Sequence, residues 1–187
     1  RQKATFAIMS SIYKILGKLL FAVLWAALLP QVHSQTTRLA FYNAENVFDT
    51  LRDKRIDDAE YTPHGAKAWD GKKYRAKIDN LARVIVDLSP GVLGLAEIEN
   101  EAVLADLVRA VREKSGEEYA GIHLESGDER GIDMALLYRA DRFKPIVRAM
   151  LPSETNRRGI LYVKGVLTGS GDTLHVLVNH WTSRYMG

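Results

Sequence analysis

Four places in the sequence carry residue types that handle phosphate, protons or metal ions. Asn43 lies in Phe41-Tyr-Asn-Ala-Glu-Asn46, and Glu97 in Leu95-Ala-Glu-Ile-Glu99. Arg130 opens Arg130-Gly-Ile-Asp133, and Asn179 and His180 fall in Val178-Asn-His-Trp181. Taken singly, each has an ordinary explanation. An Asn at a strand end is commonly a turn residue, and a Glu before a helix serves its N-terminus. A lone Arg is usually a solvated charge, and a His after a strand is more often structural than catalytic. Together the four make a chemical set. A carboxylate at a strand end suits Mg²⁺, which takes one or two carboxylates and keeps waters and phosphate oxygens. An imidazole moves protons or donates to a phosphate oxygen, an Asn amide orients a phosphate or a water, and an Arg fork matches phosphate geometry.

The surrounding pattern supplies elements that place these groups at strand ends. Arg38 to Asn43 alternates and is rich in aromatics, which predicts a strand; the polar stretch Glu45 to Lys73 predicts a long surface excursion near a site. Tyr74 to Leu88 reads as a helix with Ile78, Leu81, Ile85 and Leu88 on one face, closed by Ser89-Pro90-Gly91. Val92 to Ala96 is a short apolar strand buried on both faces. Asn100 caps a second helix with Leu104, Leu107, Val108 and Val111 on its buried face, ended by Ser115-Gly116. Strands follow over Tyr119 to Glu125, Ile132 to Arg139 and Phe143 to Val147. A hairpin of Ile160 to Thr168 and Thr173 to His180 turns at Gly169-Ser-Gly-Asp172. No helix follows that Gly-Ser-Gly, so it is a turn and not a phosphate loop. The order predicts a mixed α/β sheet covered by helices, with ligand groups gathered where strand ends meet.

The chain has 187 residues and a formal charge of +3, but the charge is unevenly placed. Residues 1–34 hold Arg1, Lys3, Lys14 and Lys18 and no acid; without them 22 Lys and Arg face 23 Asp and Glu, a net −1. A general affinity for polyanions is therefore excluded, and any phosphate chemistry must be local. The leading segment reads as a signal peptide: cations, an apolar run from Leu19 to Leu29, then Pro30 and Val32-His33-Ser34. Met9 is a candidate start, which would leave the residues before it as upstream read-through. The run is shorter than the roughly 20 residues of a membrane span, so no stable span is expected after cleavage, the alternative being an uncleaved anchor over Tyr13 to Leu29. The absence of cysteine excludes disulfides, thiolate metal sites and a cysteine nucleophile. With export, it points to a secreted or periplasmic bacterial protein.

The ordered set resembles the endonuclease/exonuclease/phosphatase superfamily, which includes pancreatic-type deoxyribonucleases, abasic-site endonucleases, sphingomyelinases and inositol-polyphosphate phosphatases. Its opening strand ending in Asn is matched by Leu39 to Asn43, its strand ending in the metal-binding Glu by Gly94 to Glu97, and its Asn-His strand by Val178 to His180. The resemblance runs from Arg38 to Arg184. It implies a DNase-like four-layer fold, two mixed sheets flanked by helices, incomplete in this chain. It also implies Mg²⁺ (or Mn²⁺ or Ca²⁺) at Glu97 with Asn43 as a further ligand or phosphate support, and His180, Asn43 and Asn179 as catalytic residues. Arg130 would contact the substrate phosphate, and Asp133 would be structural. The implied activity is hydrolysis of a phosphate ester or phosphodiester, with a phosphate-containing substrate, nucleic acid among the candidates. The family's Gly-Asp-x-Asn segment and its terminal Asp-His pair do not appear. Residues 35–187 are thus expected to be the N-terminal part of such a domain, inactive alone.

The competing class is a secreted binding protein that keeps the fold without turnover. Other readings rank lower. Asp49, Asp53, Asp57, Asp58 and Glu60 lack a calcium-loop pattern, and Lys72, Lys73, Arg75 and Lys77 read as a cationic helix start. His64, His123 and His175 lack motif context and are expected to be structural, while Ser126 and Ser153 lack a nucleophile elbow. The export reading predicts that the secreted protein begins near Gln35 by N-terminal sequencing. Recovery of the Leu19 to Leu29 run in a membrane fraction would refute it.

Overall fold

The computed structural model describes residues 36–154 and 158–181, with Lys18 and Phe21. The signal-peptide reading therefore lies almost wholly outside the described residues. Residues 35–187 form one compact unit, which carries every strand among the described residues. Among the described residues, no helix is long and apolar enough to cross a membrane.

Strand β1 (Leu39–Val47) pairs in parallel with β2 (Val92–Ile98), and that pairing requires a crossover. The crossover is helix α1 (Gly71–Leu88), reached through an excursion with one 3-10 turn at Ala59–Tyr61. Helix α2 (Glu101–Ser115) leads to β3 (Tyr119–His123) and β4 (Asp133–Arg139), completing a mixed sheet of order β1-β2-β4-β3. A second, antiparallel sheet is ordered β5-β6-β7, from β5 (Phe143–Leu151), β6 (Ile160–Leu167) and β7 (Thr173–Asn179).

Both helices cover one face of the first sheet. The stripe Ile78, Leu81 and Ile85 of α1 and Leu104, Leu107 and Val111 of α2 packs with Leu93, Leu95 and Leu137. The opposite face sends Val92, Met134 and Leu136 against Phe143, Leu161, Val163 and Val178 of the second sheet. The strand alternation thus serves two cores at once, which explains why β2 reads as a continuous apolar run. Helices, first sheet and second sheet are three layers of the DNase-like sandwich, which is partial in this chain.

The boundaries differ from the sequence reading where a cap or a bulge intervenes. Helix α1 starts three residues before Tyr74, because the Asp70 carboxylate accepts from the amides of Lys72 (3.0 Å) and Lys73 (2.9 Å). Asn100 caps α2 as expected, accepting from Val103 N at 2.9 Å. Strand β1 continues past Asn43 through an irregularity and pairs again at Val47 with Ile98. The polar excursion is pinned rather than loose. Asp58, 1% exposed, accepts from Arg52 and from the Asp53 amide. Tyr61 stacks on Phe48, and Trp69 Nε1 donates to Phe48 O at 2.9 Å.

Gly94 sets how closely the two sheets approach. A Cβ there would lie 3.2 Å from Val178 Cγ2 and 3.3 Å from Phe41 Cδ2, so the missing side chain lets β7 pack onto β2. Gly94→Val should overpack this contact and lower stability by about 1–3 kcal/mol in urea denaturation. An unchanged midpoint would show that the sheets do not touch there.

Candidate active site

Glu97 occupies the bulge of β2, where pairing with β4 shifts between Ala96 and Ile98. Its φ is +66°, and on β1 Glu45 and Asn46 also sit at positive φ, +58° and +57°. Asn tolerates this region but Glu does not. Strain of about 1–3 kcal/mol per residue persists only where the surroundings over-determine it. Here the surroundings are hydrogen bonds to the Glu97 carboxylate. Its Oε2 accepts from the Asn46 amide at 2.8 Å, and its Oε1 accepts from Asn43 Nδ2 at 3.3 Å. His180 Nε2 approaches Oε1 to 3.1 Å from the end of β7. The sequence set Asn43, Glu97 and His180 is therefore brought together, from three strands and both sheets.

These donors hold the Glu97 carboxylate ionised. Its pKa is lowered to about 2, first by the hydrogen bond from His180, which with those from Asn43 and Asn46 outweighs partial burial. The donor set fits a hard divalent cation, since a half-buried, permanently charged carboxylate is what Mg²⁺ or Mn²⁺ takes from protein. Asn43 serves this carboxylate as a donor, while its own Oδ1 accepts from the Glu45 amide at 2.9 Å.

Two residues that the sequence did not single out complete the arrangement. Arg158 Nη1 lies 3.0 Å from His180 Nδ1. A guanidinium only donates, so Nδ1 is the acceptor and the ring proton sits on Nε2, facing Glu97. Arg158 Nε also donates to Asp128 Oδ2 at 2.5 Å. Burial raises the Asp128 pKa, but bonds from Arg130 and Arg158 outweigh it and the net shift is downward. Arg130 pairs with the same carboxylate at 3.2 Å, stays about half exposed, and is close enough to feel the charge of Glu97. Asp128 thus joins the two arginines beside the site. Nothing in the sequence marks Arg158 beyond a cation ahead of a strand.

Asn179 is placed differently. Its Nδ2 donates to Leu177 O at 3.3 Å, and its buried Oδ1 has no hydrogen-bond partner among the described residues, so it is not joined to the Glu97 network. Asp133, expected to be structural, is 2% exposed and accepts from the Ser126 amide at 2.9 Å.

Glu99, two residues from Glu97, behaves oppositely. It is 5% exposed and accepts from the Asp49 amide at 2.6 Å. Burial, reinforced by Asp49, Asp58 and Asp53, raises its pKa to about 8. It borders a cavity of about 390 Å³ also lined by Asp49, Asp53 and Glu125.

The sequence matches the Endonuclease/Exonuclease/phosphatase family over residues 38–187. No curated protein sequence matches it. Among solved structures, it is similar to an endonuclease/exonuclease/phosphatase family protein from Bacteroides thetaiotaomicron at 15% identity, covering 78% of this chain and 51% of that one, with a TM-score of 0.52. The endonuclease/exonuclease/phosphatase from Bacteroides vulgatus is 16% identical over 76% of this chain and 52% of its own, at 0.47. D. rerio TDP2, complexed with single-strand DNA product, is 15% identical over 58% and 40%, at 0.43. The chain spans about half or less of the length of these relatives. The first likeness supports the fold.

The raised Glu99 pKa carries a stability prediction. A folded value of about 8 above the ordinary 4.5 gives stability that is full below pH 4.5 and lost as pH rises through 8. Urea melts should show the protein weakening between about pH 5 and pH 9. Glu99→Gln should flatten that slope and be more stable than the parent at pH 9, by on the order of 2–4 kcal/mol. Equal pH slopes would show that Glu99 titrates normally.

Proposed function

The chain belongs to the endonuclease/exonuclease/phosphatase family, and from that premise we propose that its domain is a divalent-metal-dependent phosphoesterase acting on a phosphate ester or phosphodiester. The observation that carries the reading is the convergence of Asn43, Asn46 and His180 on one ionised carboxylate at the strand ends. Glu97 would hold the cation, which when bound supplies polarisation of a phosphate oxygen and neutralisation of developing charge. Asn43 and the Asn46 amide fix the carboxylate's orientation. His180, its proton directed to Nε2 by Arg158, offers a donor to a phosphate oxygen at the edge of the same carboxylate. Arg130, half exposed and anchored by Asp128, presents a guanidinium towards an incoming phosphate.

Nucleic acid is one substrate within this class, and the local clustering of Arg130 and Arg158 suits any phosphodiester. Export to a secreted or periplasmic setting is part of the same proposal, supported by the leading apolar segment. As part of the proposal, residues 35–187, in which no Gly-Asp-x-Asn segment and no Asp-His pair occurs, are expected to be inactive alone.

The test uses the full-length protein, assayed on bis(p-nitrophenyl) phosphate and on DNA with Mg²⁺ or Mn²⁺ and with chelator. Hydrolysis should depend on the metal, and Glu97→Gln should lower kcat/KM by about 100-fold or more, since a neutral amide is a poor ligand for a hard cation. Residues 35–187 alone should show no chelator-sensitive turnover. A gene product inert with every metal would favour a binding protein that keeps the fold.

A further inference from the structure

A second group of ligand side chains lies away from Glu97, across β3 and β4. His123 faces Ala135 in the antiparallel register, so Asp133, two residues along from Ala135, projects from the same face. Glu125, two residues past His123, completes a set whose ligand atoms all lie within 4.8 Å of one another. The His123 and Asp133 side chains are 4% and 2% exposed, and His123 Nε2 lies 3.1 Å from Asp133 Oδ2. The two form an ion pair if the imidazole is protonated, but neither atom makes a well-aligned hydrogen bond among the described residues, although both are fully buried. The other Asp133 oxygen is satisfied by the Ser126 amide.

Buried polar atoms are nearly always hydrogen-bonded, and one left poorly satisfied is costly. The ring nitrogen and the carboxylate oxygen lie at a distance that serves a direct imidazolium–carboxylate pair and equally two ligands on one cation. With bonds of about 2.0–2.1 Å, neighbouring ligands are separated by about 2.9 Å in an octahedron and about 3.3 Å in a tetrahedron. The observed 3.1 Å falls between. We propose that His123, Asp133 and Glu125 bind a transition-metal dication, Zn²⁺ by choice of ligand, at a site separate from that of Glu97. Imidazole selects such ions over Mg²⁺. Exposed Glu125 also borders the cavity lined by Asp49 and Asp53.

The position gives the ion a role. His123 ends β3 and Asp133 begins β4, so a metal joining them clamps the base of the connecting loop. That loop carries Asp128 and Arg130, and through Asp128 it reaches Arg158 and His180. The ion would therefore stiffen the arginine side of the candidate active site without touching substrate.

The experiment titrates metal-stripped full chain with ZnCl₂ by calorimetry, and with Co²⁺ to read its visible absorption, in the Glu97→Gln background that weakens the other site. One equivalent should bind, with a Co²⁺ band showing nitrogen and oxygen ligands, and millimolar Mg²⁺ should not displace it. Glu125→Gln, an exposed change whose fold is checked by circular dichroism, should weaken Zn²⁺ binding about tenfold or more, and His123→Gln should abolish it. Absence of Zn²⁺ binding in the Glu97→Gln protein would overturn the proposal. So would binding of equal affinity and stoichiometry in folded Glu125→Gln and His123→Gln, which would place the ion elsewhere.

Discussion

The Glu97 carboxylate is the point at which the two sheets and three strands are tied together. β1 contributes the Asn43 side chain and the Asn46 amide, β2 contributes the carboxylate, and the end of β7 contributes His180. Glu97 itself and two residues beside it, Glu45 and Asn46, sit at positive φ, and an extended ladder would turn Glu97 away from this position. The bulges in both parallel strands are what aim the side chain outwards, as bulges near active sites commonly do. Gly94 serves the same end from below. By omitting a side chain between β2 and Val178, it lets β7 come near enough for His180 to reach Oε1. Packing and polar chemistry are thus one constraint: the sheet spacing sets the hydrogen bond, and the hydrogen bond holds the strained backbone.

Two glutamates two residues apart show how environment, not residue type, sets charge. Glu97 accepts three donors and stays ionised, with a pKa of about 2. Glu99 is more deeply buried, faces other acids, and is raised to about 8. Their opposite shifts follow from the sense of the local field. Donors from β1 and β7 favour the anion at Glu97, and desolvation beside Asp49 opposes it at Glu99. One carboxylate is thereby suited to a hard cation, while burial and the neighbouring acids push the other towards its protonated form.

Arg158 and Asp128 extend the site from the metal side to the phosphate side. The guanidinium takes the imidazole as an acceptor and the carboxylate as a counter-charge, so a single residue sets the His180 tautomer and fixes the loop that presents Arg130. Because Arg158 is largely buried and Arg130 is half exposed, the first acts in positioning and the second is available to ligand. The His123 and Asp133 pair lies at the root of that loop, where stiffness would be transmitted to both.

The sequence determined the element order, the helix faces except Leu88 (which is only half-buried and outside the core at the end of α1), the Asn100 cap, the hairpin at Gly169 to Asp172 and the convergence of Asn43, Glu97 and His180. Those features rest on period, on cap residues and on short motifs, all of which are local or ordered along the chain. Tertiary structure alone decided the rest. The start of α1 at Gly71 depended on Asp70 turning its carboxylate to two amides, and the extension of β1 to Val47 depended on a bulge that restores pairing with Ile98. Asn179 left the network because strand alternation turns it away from its neighbour His180. Arg158 entered it because β6 and β7 are antiparallel, so a residue before the first strand meets one after the second. His123, which reads as an isolated histidine, acquires its partner Asp133 only when β3 and β4 fold back in register. In each case the deciding partner is set by three-dimensional placement, and no local pattern records which atoms a strand register or a bulge will bring within about 3 Å of each other.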